Sequence, residues 1–178
     1  FDYGGPNIGK SMHVGHLRPL NIGRALYNMY KVSGNVCISD IHLGDWGTQM
    51  GMIILWLQQH YPEWPQFQDN FSEETASAIP ITMTDLQEIY PKISAACKEN
   101  PSLAEQARTI THALQTGHPG YIHLWKHFVT ISLKDITEIM SILRVDFEQW
   151  FAESRYQPMI PKGNGPVQFG YGSCQPPC

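Results

Sequence analysis

The sequence predicts an α/β fold, the opening of a parallel βαβ unit that carries an inserted helical segment. A glycine-crowded turn, Gly4-Gly5-Pro6-Asn7-Ile8-Gly9, precedes a stretch with helical apolar spacing. A short apolar run, Val36 to Ile38, leads into a second glycine-bearing loop, Leu43-Gly44-Asp45-Trp46-Gly47. Further on, helical segments punctuated by proline end in one long amphipathic stretch. Strand, glycine loop, helix and second strand make the start of a parallel unit, in which ligands collect at the carboxyl ends of the strands.

Each element follows from local chemistry. Gly4, Gly5, Pro6, Asn7 and Gly9 stop any regular element and force a turn. Beyond His16, Leu17, Leu20, Ala25 or Leu26, and Met29 or Tyr30 recur at helical spacing until Ser33-Gly34 supplies a stop. Pro19 is placed in the first turn, where its missing N–H costs little. Val36 to Ile38 reads as a strand, with Cys37 as a buried thiol within it. Residues 1–57 thus form the first half of a core.

Residues 58–120 read as a helical insertion. Tyr61-Pro62-Glu63-Trp64-Pro65 makes a break, and Pro80, Pro91, Pro101 and Pro119 punctuate short helices. Thr84 with Gln87 three residues on suggests a helix cap, and Ser102 to Gln115 a helix ended by Gly117. From Ile122 onward, Trp125, Val129, Leu133, Ile136, Met140 and Leu143 recur every three or four residues. One long amphipathic helix with a return segment therefore accounts for 121–160. Residues 161–178, rich in glycine and proline, stay unassigned and read as a disordered or foreign end.

Composition bounds the function classes. With 178 residues of which 42% are apolar, the chain can bury a real core. The longest apolar run, Met50 to Leu57, is too short to cross a bilayer, and no signal peptide is visible, so a cytoplasmic protein without membrane contact is expected. Cys37, Cys97, Cys174 and Cys178 form no compact disulfide framework. Twelve Lys plus Arg against 16 Asp plus Glu, a net charge of −4, argue against a stand-alone nucleic-acid binder.

The chemistry concentrates in Lys10-Ser11-Met12-His13-Val14-Gly15-His16, where two histidines flank a glycine as loop becomes helix. A helix N-terminus offers unpaired N–H groups and a favourable dipole to an anion. Gly15 lets a phosphate or an adenine ring approach the backbone. Two imidazoles can donate to oxygens whose charge grows during phosphoryl or adenylyl transfer. Ordinary helix-start histidines with a turn glycine would look the same in so short a motif.

A second cluster, Asp40-Ile41-His42-Leu43-Gly44-Asp45-Trp46-Gly47-Thr48-Gln49-Met50-Gly51, faces the same crevice. The pair Pro-Asn-Ile-Gly-Lys-Ser-Met-His-Val-Gly-His-Leu-Arg and His-Leu-Gly-Asp-Trp-Gly-Thr-Gln-Met-Gly closely resembles arginyl-tRNA synthetase. The resemblance continues through Asp85 to Pro91, Leu114 to Gly117, Leu124 to Val129 and Phe151 to Ser154, and so covers roughly residues 1 to 160. It implies the first half of a Rossmann-type class I synthetase catalytic core with a helical insertion. It also implies a two-step reaction. Arginine and ATP give arginyl-adenylate and pyrophosphate, and the arginyl group then passes to the terminal ribose of tRNA(Arg).

The resemblance gives roles to single residues. His13 and His16 match the histidines that hold ATP phosphates and stabilise the leaving pyrophosphate, and Gly15 the glycine under the adenine. Lys10 matches a lysine that serves the phosphates as a point charge. Asp2 and Asn7 match the pair that holds the substrate arginine, a donor-only cation that needs a carboxylate and carbonyl oxygens around it. His42, Asp45, Trp46 and Gln49 match the second motif beside the amino acid and nucleotide. For Trp46, packing under the strand ends is as good an account as ligand contact. For Asp45, a position between two glycines suggests exposure to whatever enters the loop. No general base is needed, because the arginine carboxylate is already ionised. Magnesium is expected with ATP, bound mainly by phosphate oxygens and water.

His123 and His127 stand one helical turn apart, with His112 and His118 nearby, but no cysteine or carboxylate completes a metal set. Cys174 and Cys178 lack a second pair, and no metal site is expected. The second half of the nucleotide fold and most tRNA contacts are expected outside these residues. Another nucleotidyltransferase with a related histidine signature, and a non-catalytic piece that binds nucleotide, tRNA or a protein partner, stay open beside the ligase. A monomer is the favoured state.

Overall fold

A stretch of extended backbone at the start of the chain lies parallel to a short strand, β1 (Asp40–Leu43), through the bridges Asp2 to Asp40 and Asn7 to Gly44. On its other side β1 pairs in parallel with β2 (Gln149–Ala152), Asp40 opposite Gln149 and Leu43 opposite Ala152. The result is a narrow parallel layer whose middle is β1. This computed structural model describes residues 1–76 and 78–159. The tail 161–178, with Cys174 and Cys178, lies outside the described residues.

Helix α1 (Val14–Val32) connects the opening segment to β1, and it differs from the expected helix in two respects. It begins at Val14, so Pro19 lies inside it rather than in its first turn, and withholds an N–H from the Gly15 carbonyl. Its buried face is Leu20, Gly23 and Tyr27, whereas Leu26, Met29 and Tyr30 are exposed. Gly23 is the reason: it lies against the Tyr3 ring, where a Cβ would collide, and a glycine is invisible to a search for apolar spacing.

The strand expected at Val36 to Ile38 is displaced. Val36 is 97% exposed and Ile38 52%, and the strand starts at Asp40, where Ile41 and Leu43 point into the core. Ser39 is the hinge of this shift. Its carbonyl accepts from the backbone N–H of Glu148 and of Gln149, which draws β2 alongside β1 only from this point on. Cys37 is accordingly half-exposed, its Sγ 3.6 Å from the Asn35 carbonyl, instead of buried in a strand. Among the described residues the buried thiol is Cys97, where burial pushes the pKa up.

Helix α2 (Thr48–His60) takes up the longest apolar run and buries Met50, Gly51, Ile53, Ile54, Leu55 and Leu57, a broad face covering over half of its circumference. Around it pack α3 (Met83–Glu99), α4 (Pro101–Gln115) and α5 (Pro119–Leu143). Two of the four punctuating prolines, Pro101 and Pro119, are first residues of helices. Pro91 instead lies inside α3. The cap of α3 is Thr82 with Asp85, not Thr84 with Gln87: the Thr82 hydroxyl accepts from Asp85 N–H and the Asp85 carboxylate from Thr82 N–H. In α5 the core stripe is Tyr121, Leu124, Phe128, Ser132, Ile136 and Met140: Ile136 and Met140 are buried as expected, whereas the expected Trp125, Val129 and Leu133 lie half-buried one step aside.

Gly51 sets the approach of α2 to α4. A Cβ there would overlap the Ala107 carbonyl and the Thr111 side chain, and the obstructing backbone cannot rotate away. Gly51→Ala is therefore expected to lower stability by about 1–3 kcal/mol, measured as a fall in the urea midpoint at unchanged slope. No helix among the described residues is long and apolar enough to cross a membrane.

Candidate active site

The loop 4–13 carries the chain from the opening extended segment into α1. Gly4, Gly5 and Gly9 adopt positive φ there, conformations costly for side-chain-bearing residues. Ile8 N–H donates to the Gly44 carbonyl (2.9 Å) and Gly44 N–H to the Pro6 carbonyl (3.1 Å), so this loop and the one after β1 are tied together.

At the start of α1 the two signature histidines cap each other's backbone. His13 Nδ1 accepts from Gly15 N–H at 3.1 Å, and His16 Nδ1 accepts from His13 N–H at 3.1 Å. This is a capping box built from imidazoles, the His13 and His16 ring centroids 4.2 Å apart. Because each Nδ1 accepts, a neutral ring carries its proton on Nε2, which leaves each histidine one outward donor. Gly15 is needed for the cap, since a Cβ would stand 2.8 Å from His13 Cε1.

Burial first, and the neighbouring His13 second, push the His16 imidazole below its ordinary value of 6.5. Protonation would convert Nδ1 from acceptor to donor and break the cap. The native state thus resists a proton that the unfolded chain accepts, so this contribution is full above pH 6.5 and is lost as the pH falls through the lowered native value. The expected result is an NMR titration midpoint for His16 below 6.5, with faster amide exchange at His13 as the ring protonates.

The residues expected to face the amino acid fall into two groups. Asn7 packs its amide oxygen on Gly44, where a Cβ would displace it, and Gln49 donates from Nε2 to the Gly44 carbonyl at 2.8 Å. At the other end of β1, the His42 ring nitrogen lies 3.2 Å from Asp40 Oδ2, and Asp2 pairs with Asp40 along the backbone. Four residues of strand, roughly 13 Å, separate the ends, so Asp2 and Asn7 are not side by side. His42 also stacks on Tyr156, the planes 11° apart.

Asp45 is a correction to the expected exposure. It is 1% exposed, and its carboxylate is occupied by Ser154, whose N–H donates to Oδ1 (2.9 Å) and whose hydroxyl donates to Oδ2 (2.7 Å). Trp46 is half-buried, edge-on to Trp125, with its Nε1 donating to Gln157. Trp125 in turn donates to the Asp45 carbonyl at 2.9 Å. Sequence reasoning gave no role to Asp40, Ser154, Tyr156 or Gln157; for the last three, partners more than a hundred positions apart leave no local pattern.

The helix histidines have separate protein partners. His118 caps α5, His123 faces Gln66, and the His127 ring nitrogen lies 2.7 Å from the Ile81 carbonyl. Among the described residues no three His, Cys, Asp or Glu side chains are grouped to hold a metal.

The comparisons with known proteins all lead to one family. The arginine–tRNA ligase of Francisella tularensis subsp. holarctica is 44% identical over 153 residues, 86% of this chain and 26% of that protein. That of Alkaliphilus oremlandii is 40% identical over 159 residues, 89% of this chain and 27% of that one. A crystal structure of the arginyl-tRNA synthetase from Plasmodium falciparum superposes with a TM-score of 0.63 at 30% identity, covering 89% of this chain and 24% of that one. The chain therefore spans about a quarter of the length of the relatives it matches. Residues 1–164 match the family described as the catalytic domain of class I tRNA synthetases (R), and to that family, with its Rossmann-type core, this chain belongs.

Proposed function

We propose that the chain carries the ATP-handling and arginine-facing half of an arginine–tRNA ligase catalytic domain. The observation that carries this reading is the imidazole capping box, which presents two Nε2 donors at the amino end of α1, directly after the glycine-rich loop. A triphosphate placed there meets the helix dipole and two fixed donors together. The arginine carboxylate attacks the α-phosphorus, the new O–P bond replaces the bond to the β-phosphate oxygen, and pyrophosphate leaves. His13 and His16 stabilise the charge that accumulates on the phosphate oxygens, Gly15 leaves room for the adenine, and Lys10 adds a positive charge. Family membership sets aside the smaller nucleotidyltransferases.

In this reading Asp2 and His42, with Asp40 between them, face one end of the arginine, and Asn7 and Gln49 the other. Asp45 acts indirectly, by holding Ser154 through its carboxylate and Trp125 through its carbonyl. Magnesium would enter with the triphosphate, whose oxygens and waters supply its coordination. The arginyl group then passes to tRNA(Arg), which this acidic chain contacts mainly through other parts of the synthetase. We take the protein to be a cytoplasmic monomer without membrane contact.

Calorimetric titration tests the reading. With a non-hydrolysable ATP analogue and magnesium present, the chain is expected to bind arginine and to discriminate against lysine and citrulline. A chain that binds neither nucleotide nor arginine would instead be a docking segment of the larger enzyme.

A further inference from the structure

Lys10 leads directly into the histidine signature, yet its ammonium is held by the inserted helices: Nζ lies 4.4 Å from the centroid of the Tyr90 ring on α3. The flanking residues are fastened to α3 and to α5. Gly9 N–H donates to Ser132 Oγ at 3.0 Å, the Ser11 hydroxyl donates to Asp135 Oδ2 at 3.2 Å, and the Gln87 amide donates to the Ser11 hydroxyl. Gly9, Lys10, Ser11, Gln87, Tyr90 and Pro91 line a cleft of about 280 Å³ beside the signature.

We infer that Tyr90 is a positioning residue for the reaction proposed above, seating the Lys10 ammonium where the triphosphate arrives; the inference rests on that proposed ATP site. A lysine on a flexible four-carbon stem visits many rotamers, and a ring face restricts it while leaving its three N–H donors available. The phenol hydroxyl plays no part in this contact, so the ring alone carries the function. Arginine activation is thereby coupled to the docking of α3.

The test compares Tyr90→Leu, Tyr90→Phe, Lys10→Met and the Lys10→Met/Tyr90→Leu double variant, with thermal melts confirming that each folds. Without nucleotide, ring current shifts the Lys10 ε-methylene protons upfield in the unaltered chain and in Tyr90→Phe, and the shift disappears in Tyr90→Leu. No upfield shift in the unaltered chain would overturn the seat itself. With magnesium and ATP, Tyr90→Leu is expected to bind about three- to five-fold more weakly, the scale of one exposed cation–π contact, while Tyr90→Phe matches the unaltered chain. Tyr90→Leu should add no loss to Lys10→Met. Equal or tighter ATP binding by Tyr90→Leu would overturn the positioning role. If the seat is present but no variant binds ATP, the proposed ATP site fails, and the role assigned to Tyr90 fails with it.

Discussion

His16→Ala is expected to lower arginine-dependent pyrophosphate exchange by about 10²–10³-fold, the loss typical of removing one preorganised donor from a developing oxyanion. The same change removes an acceptor from the start of α1, worth about 1 kcal/mol of stability, so fold and chemistry must be separated. His16→Glu separates them. A glutamate at this helix position is the ordinary partner in a capping box and can accept from His13 N–H as His16 Nδ1 does. It also places a negative charge where phosphate must lie. His16→Glu should therefore melt close to the unaltered chain and be at least as inactive as His16→Ala. Near-normal exchange in His16→Glu would show that capping alone is the role of this histidine.

Asp45→Ala is expected to cost about 3 kcal/mol, because it leaves the N–H and hydroxyl of Ser154 without their acceptor in a half-buried pocket. The turn Glu153–Met159, which also supplies Gln157 to Trp46 and Tyr156 to His42, should loosen from β1. Asp45→Asn keeps shape and one acceptor oxygen, and should retain part of that stability. Urea denaturation measures the loss, and amide exchange at Ser154 locates it. If Asp45→Ala were as stable as the unaltered chain and lost only arginine affinity, the carboxylate would be a direct ligand.

What was legible in the sequence was local. The start of α1 could be placed because two histidines, a glycine and the following apolar spacing lie within one short stretch. Pro101 and Pro119 announce helix starts because their chemistry is confined to the first turn. What failed depended on distant partners. Gly23 lies on the buried face because Tyr3 rests on it, and Gly51 because α4 crosses it. Val36 looks like a strand residue by composition, but Ser39 and Glu148, 109 positions apart, decide where pairing begins. Asp45, between Gly44 and Gly47, promised exposure until Ser154 closed over it from the far end of the described chain.

The measurement that bears most directly on the central claim is exchange of labelled pyrophosphate into ATP by this chain, with and without tRNA(Arg), beside the His13→Ala/His16→Ala variant. The expected result is exchange that requires arginine and magnesium and disappears when both imidazoles are removed. Exchange that persists without the two histidines, or none with or without tRNA(Arg), would contradict it.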